Sequence, residues 1–425
     1  MSPTDRLPRR YRRWRVLAMV VVVVLAAGTV PPDDVTAAAP ALPLGDVDLT
    51  ETRTVQTLAP GVSLTQIVRG TLPAAPAEIA TTTRGPWRVN VLTIDPTLAR
   101  GHLAATYGRN LSQVETTTSL VQSAGALAGV NASYFTTADK SRAYPGDPVG
   151  LGLYRGILLS EPAAVRSEVD LVIDARTTKL LIGRLTWSGK LKNRRTGATL
   201  KLKHLNHPPV VPAKCRKLKN PTKCKKSGAV VRFRPAFGPT PRGKGVEVVL
   251  DKSGCVVRRV QTRGHTLLPG QTSVQATGKQ SRSLWRLTKR GCLTSTVRAY
   301  REGKRLKLTR TMFGVAGRYH LTRKGRIAAP TKTGRYFNRN PRTIAGTTSD
   351  GKVMLVTIDG RRPTSVGATI TETASVARSL GMTESLNLDG GGSTAMSVGG
   401  VLVNQPSGSA ERAVGDALIY VDRPL

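Results

Sequence analysis

Thr369-Ile-Thr-Glu-Thr-Ala-Ser-Val-Ala-Arg-Ser-Leu-Gly381, running on to Leu386-Asn-Leu-Asp-Gly-Gly-Gly-Ser-Thr-Ala-Met396, is the stretch on which the reading of the fold turns. Ile370, Ala374, Ala377 and Leu380 recur near helical spacing, and Gly381 stands where a helix end favours a left-handed residue, so the spacing predicts a helix over 369–380. Leu386 and Leu388 then lead into a carboxylate, three glycines and two hydroxyl residues. Outward from this stretch, short β-branched or alternating runs predominate: Val89–Ile94, Leu171–Ile173, Val246–Leu250, Val256–Val260, Val353–Ile358 and Ala417–Val421. Asp251-Lys-Ser-Gly254 joins two of them with turn chemistry. One further helix is predicted over Ser119–Ala128. Strands dominate and helices intrude, which predicts an α+β fold: a single strand-rich domain with few helices, carrying a Lys-rich β sublobe over 176–300.

Arg6, Arg9, Arg10, Arg12, Arg13 and Arg15 precede an apolar run from Val16 to Val30, and Ala37-Ala-Ala39 follows. That layout predicts an export signal over 1–39, shorter than a comfortable membrane span, with a retained anchor as the other reading. Residues 40–84, rich in Ala, Pro and Thr, read as a linker or loosely packed N-terminal arm, with globular structure from 85 to 425. The chain has 65 Lys and Arg against 26 Asp and Glu, a formal charge of +39. Such a surface concentrates polyanions, and for an exported chain these are anionic cell-envelope polymers or sugar phosphates. With aromatics at 4% and no helix-turn-helix or zinc-finger spacing, nucleic acid is not an expected partner. The lysines and arginines of 179–226 read as a solvated surface in preference to a polymer-binding face. Cys215, Cys224, Cys255 and Cys292 predict two disulfides. Proximity favours Cys215 with Cys224 and Cys255 with Cys292 among three pairings.

Asp389 followed by Gly390-Gly-Gly392, Ser393 and Thr394 can bring converging N–H groups to phosphate oxygens, because glycine allows close backbone approach. Asn131, ahead of Ala-Ser-Tyr-Phe135, puts an amide and an aromatic at the end of an apolar segment where a sugar could bind. Arg342 lies just before the Val353–Ile358 strand and offers a fork suited to phosphate. Glu372 falls in the first turn of the predicted helix, where a carboxylate is favoured in any case. His102, His204, His207, His265 and His320 show no metal-ligand spacing with a partner.

Taken in order, Gly129-Val-Asn-Ala-Ser-Tyr-Phe135, Asp147-Pro-Val-Gly-Leu-Gly152, Pro341-Arg-Thr343, Ile358-Asp-Gly-Arg361, Gly367-Ala-Thr369 with Glu372, Asn387-Leu-Asp-Gly-Gly-Gly-Ser393, Val403-Asn-Gln-Pro-Ser407 and Glu411-Arg412 resemble the phosphodiester glycosidase family over about residues 85–425. Ala132-Ser133 and Tyr134 depart from its usual first motif, and Thr394 replaces a second serine. The resemblance implies an exported hydrolase of sugar-1-phosphodiesters of the N-acetylglucosamine-1-phosphate type. It implies Asp389 as the carboxylate at C1, with Asp359 and Glu372 as further carboxylates. Gly390, Gly391, Gly392, Ser393, Thr394, Arg342 and Arg412 would hold phosphate, and Asn131 the sugar. No metal or cofactor is expected, although Asp389 or Asp359 could help bind Ca²⁺ or Mg²⁺. The rival readings are a metal-dependent phosphodiesterase and a non-catalytic binder of anionic envelope polymer.

Overall fold

The structure, a computed structural model, describes residues 40–141 and 143–425, so the expected export signal lies outside the described residues. A twelve-stranded antiparallel sheet forms the frame. From one edge it runs Glu51–Ala59, Val62–Arg69, Trp87–Ile94, Val353–Ile358, Arg342–Thr348, Met382–Asn387 and Met312–Arg323. Beyond Met312–Arg323 come Gly152–Tyr154 with Ile157–Ser160, Glu168–Asp174 with Lys179–Gly183, and the short Arg326–Ile327. The central strands are buried, which is why Val353–Ile358 reads as a continuous apolar run instead of an alternating one. A second sheet orders Val401–Leu402, Met396–Val398, Ala128–Asn131, Ala417–Val421 and His102–Thr106. It shares one apolar cluster with the first, including Leu92, Leu103, Leu171, Leu355, Leu386 and Leu418.

Ile370–Ser379 is the expected helix. Thr369 caps it, with the Thr369 hydroxyl on the Glu372 N–H and the Glu372 carboxylate on the Thr369 N–H, and Ile370, Ala374 and Ala377 are buried. The other expected helix is shorter, Thr117–Ser123. Gly125 turns the chain at φ +58° and Ala128 already belongs to a strand, so the apolar run 126–130 is divided between two elements. Gln280–Leu287 is a third helix that the sequence reading did not anticipate.

Two boundaries are corrected. Residues 40–84, expected as a linker or loose arm, contribute the first two strands of the main sheet, paired from Glu51↔Arg69 to Ala59↔Val62 and onward to Trp87–Ile94. Leu42 and Leu44 are buried beside Trp87, and the guanidinium of Arg69 donates to the carbonyls of Leu44 and Asp46 at 2.7 Å each. Thr, Gln and Ser within the two strands dilute their apolar alternation. The inserted β region runs from Leu185 to Leu306, since residues 179–183 remain in the main sheet. It holds a four-stranded and a five-stranded sheet with Gln280–Leu287 packed on them, and its core includes Leu191, Val230, Val248, Val274 and Leu284. Cys215 is bonded to Cys224 and Cys255 to Cys292, both within this region.

Candidate functional site

Three segments converge where the main sheet ends. Met382–Asn387 delivers Leu388 and Asp389, whose N–H groups bond to the carbonyls of Thr343 and Ala132, both at 2.9 Å. Gly391–Ser393 then forms a single 3₁₀ turn. Val353–Ile358 delivers Asp359-Gly-Arg361, and the closing segment delivers Arg412.

The three glycines serve a different purpose from the one expected. The Gly390 N–H donates to Asp389 Oδ1 at 3.0 Å and the Gly391 N–H to the Pro341 carbonyl at 2.8 Å. Among the described residues, only the Gly392 N–H of the three lacks a partner, so no nest of free N–H groups forms. Side chains are excluded instead. A Cβ on Gly390 would stand 2.8 Å from the Pro341 carbonyl oxygen, one on Gly391 3.3 Å from Arg361 Nη2, and one on Gly392 would collide with the Arg412 guanidinium. The triplet is a smooth floor on which two arginines rest.

Arg361 takes a left-handed backbone, φ +60°, which for a non-glycine residue is a strain that its surroundings must hold. Asn340 Oδ1 does so, accepting from Arg361 Nη2 at 2.6 Å and Nε at 3.1 Å. Burial lowers the Arg361 pKa, and the neighbouring charges of Arg412 and Arg335 lower it further. These mutually repelling guanidinium groups gain from an anion between them. Asp389 lies beside them, half-buried. Burial raises its pKa to about 6, against Ser393, the Gly390 N–H, Arg412 and Arg318, which favour the anion.

One wall is aromatic. The Arg318 guanidinium lies 4.3 Å over the Tyr134 ring, and Tyr134 Oη is 2.9 Å from Tyr336 Oη. Asn387 Nδ2 donates to both hydroxyls, at 3.1 and 3.0 Å. Behind Arg318, Glu168 is its cross-strand partner in register; burial raises Glu168 to about 7 and its charge partner Asp170 well above the usual range.

Several expected site residues are architectural. Arg342, 2% exposed, donates Nε to the Ala368 carbonyl and Nη2 to those of Tyr336 and Asn338, at 2.7–2.8 Å. It braces the floor and is not a phosphate clamp. Asn131 is fully buried; Oδ1 accepts from Thr343 Oγ1 (2.7 Å) and the Ala395 N–H (3.1 Å), and Nδ2 donates to the Asp389 carbonyl (2.7 Å). It positions the Asp389 loop and does not face a sugar. Thr394 is buried against Thr343, and Ser393 against Asp389. Glu372 is consumed by the helix cap and an ion pair with Arg339 at 2.9 Å, so it is removed from the catalytic set. Asp359 is also removed. Its oxygens accept from Asn404 Nδ2 (3.0 Å) and the Gln405 N–H (2.9 Å), and burial raises it to about 6. A cavity of about 440 Å³ beside it, lined by Arg88, Asn90 and Gln405 among others, contains neither Asp389 nor the arginine cluster. Arg361, Arg335, Arg318 and Tyr336 were missed. In Ile358-Asp-Gly-Arg361 it is the arginine that reaches the glycine floor, while the aspartate is engaged by Asn404 and Gln405.

A carboxyl group beside arginines on a glycine floor, at the end of an antiparallel sheet, makes a site that favours an anionic ligand. Residues 244–421 match the family model described as phosphodiester glycosidase. A Burkholderia pseudomallei K96243 protein provisionally named as exported shares the fold, at TM-score 0.76 and 27% identity, over 90% of this chain and 98% of that one. A hypothetical protein from Synechocystis aligns at TM-score 0.62 and 18% identity over 88% and 69%. The SPbeta prophage-derived uncharacterized protein YomE of Bacillus subtilis (strain 168) is 40% identical over 80 residues, 19% of this chain and 12% of that protein's length.

Proposed function

We propose that this chain is an exported hydrolase of sugar-1-phosphodiesters of the N-acetylglucosamine-1-phosphate type, releasing free sugar and a phosphate monoester. The observation that carries the reading is Asp389 standing beside Arg412 and Arg318, with Arg361 and Arg412 resting on the glycine floor. Phosphate is a good leaving group from an anomeric carbon, so the reaction needs a carboxylate at C1 and cations for the departing phosphate more than a strong acid. Asp389 acts at C1. Arg361 and Arg412 receive the phosphate, with Arg335 adding charge, and Tyr134 and Tyr336 wall the sugar side. The C1–O bond breaks, water supplies the new C1 hydroxyl, and the bridging oxygen leaves with phosphorus. Export accords with the two disulfides, the N-terminal layout and the name given to the Burkholderia relative.

The test is product analysis on an N-acetylglucosamine-1-phosphodiester and on UDP-N-acetylglucosamine, with and without EDTA, for wild type and Asp389→Asn. EDTA-resistant release of free sugar that Asp389→Asn abolishes supports the reading. Sugar-1-phosphate as product would replace it with a metal-dependent phosphodiesterase, and no turnover with tight binding of anionic polymer would replace it with a binding protein.

A further inference from the structure

Away from Asp389, two imidazoles are held in matching fashion. His204 Nδ1 is 2.6 Å from Glu161 Oε1, and His207 Nδ1 is 2.6 Å from Asp147 Oδ2. The Nδ1 atoms are thereby occupied, and among the described residues neither Nε2 has a partner. Both rings line a cavity of about 280 Å³ bounded also by Lys203, Pro208 and Gly228. They remain accessible, with side chains 31% and 41% exposed, and their centroids are 5.2 Å apart.

We propose that His204 and His207 form a site for a divalent transition metal, Zn²⁺ by chemical class, with Nε2 of each ring as ligand and water completing the shell. Three independent features point there. A carboxylate on the far ring nitrogen is the usual partner of a metal-bound histidine, because it fixes the tautomer and directs the other nitrogen outward. Two imidazoles on one tetrahedral Zn²⁺, with Zn–N about 2.0–2.1 Å, place their centroids roughly 5 Å apart, as the 5.2 Å separation here does. Finally, Asp147 is 3% exposed and its Oδ1 is buried without a hydrogen-bond partner, a charge that a cation on His207 would offset.

Among the described residues no group of three His, Cys, Asp or Glu is placed to hold a metal, so the shell stays open and the affinity modest. Protons compete for the site. Burial pulls the His207 pKa down, but its hydrogen bond and charge pairing with Asp147, aided by Glu161, outweigh this and raise it. Lys203 adds a like charge at the cavity. Metal affinity therefore falls as pH drops, because a protonated imidazole cannot ligate.

The position gives the site a structural consequence. Asp147 belongs to the motif that leads into Gly152, and its carbonyl accepts the Thr136 N–H at 2.8 Å while the Val149 N–H bonds to the Tyr134 carbonyl at 2.9 Å. His204 and His207 belong to the inserted region. The His207–Asp147 contact joins that region to the segment bonded to Tyr134, and a metal on Nε2 would hold the ring in the orientation that makes this contact.

The test is titration of the EDTA-treated, dialysed full chain with Zn²⁺ and with Co²⁺ at pH 7.5, read by calorimetry, by cobalt absorption and by the melting temperature. One ion per chain is expected, with tetrahedral cobalt absorption and a higher melting temperature. His204→Ala and His207→Ala should each weaken binding at least 10-fold, and Asp147→Asn should weaken it about 10–100-fold. Circular dichroism on each variant separates loss of the site from loss of the fold. Undiminished binding in the His204→Ala/His207→Ala double variant, an ion located elsewhere by anomalous scattering, or no saturable binding by wild type would each overturn the proposal. None of these outcomes depends on the hydrolase reading.

Discussion

Asp389 and Asp359 terminate two central strands, each is followed by glycine, and burial raises each to about pKa 6, yet they have opposite surroundings. Asp359 is closed from within: Asn404 and Gln405 donate to its two oxygens, and it ties the Val403–Ser407 segment to the sheet. Asp389 accepts from the Gly390 N–H and Ser393 and faces the guanidinium groups of Arg412 and Arg318. A raised pKa alone therefore does not mark a catalytic carboxyl; the identity of the groups that face it does.

The comparison can be broken by substitution. Asp389→Asn should lower turnover about 10²–10⁴-fold with the fold intact. Asp359→Asn should leave kcat per folded molecule within about tenfold and lower the melting temperature, because an amide cannot accept from both donors. Equal losses of turnover would erase the distinction. Next in size, Arg361→Ala and Arg412→Ala should each cost about 10²-fold in kcat. Arg342→Ala should act mainly on stability, by about 1–3 kcal/mol, since it removes the hydrogen bonds from this buried side chain to the carbonyls of Ala368, Tyr336 and Asn338.

The pH dependence sharpens the same contrast. A carboxyl whose pKa is higher in the folded state than the ordinary 3.8 penalises folding once ionised, so its cost is absent below pH 3.8 and full above about pH 6. Removing that charge should stabilise Asp389→Asn at pH 7.5 by about 1–2 kcal/mol, after discounting for its partly buried position. The gain should vanish below pH 4 in melting curves. Activity should rise with pH through about 6 as Asp389 ionises. The smallest effect on turnover belongs to the inserted region. Opening Cys255–Cys292, which spans 37 residues, should cost about 4 kcal/mol, against about 3 for Cys215–Cys224, which spans 9, with little change in kcat for either.

Strand-rich architecture, the capped helix at Thr369 and the carboxylate at 389 were legible because each depends on local pattern: β-branched runs, a capping residue and an Asp-Gly junction. The division of labour within the motifs was not. Asn131, Arg342 and Glu372 look like substrate ligands in sequence, but their polar atoms are spent on carbonyls, hydroxyls and caps, which only tertiary contacts show. Arg361 is concealed for the converse reason. Its φ of +60° and its bond to Asn340, twenty-one residues away, leave no local signature. The first two strands were hidden because the apolar positions of 51–69 are diluted by Thr, Gln and Ser, and their burial depends on the neighbouring strand.

The most direct test is hydrolysis of an N-acetylglucosamine-1-phosphodiester in ¹⁸O-labelled water, with the phosphate monoester read by mass spectrometry. The account predicts a monoester free of ¹⁸O, because water attacks C1 and the bridging oxygen leaves with phosphorus, and it predicts monoester formation about 10²–10⁴-fold slower from Asp389→Asn. Label in the monoester would place the attack at phosphorus and contradict it.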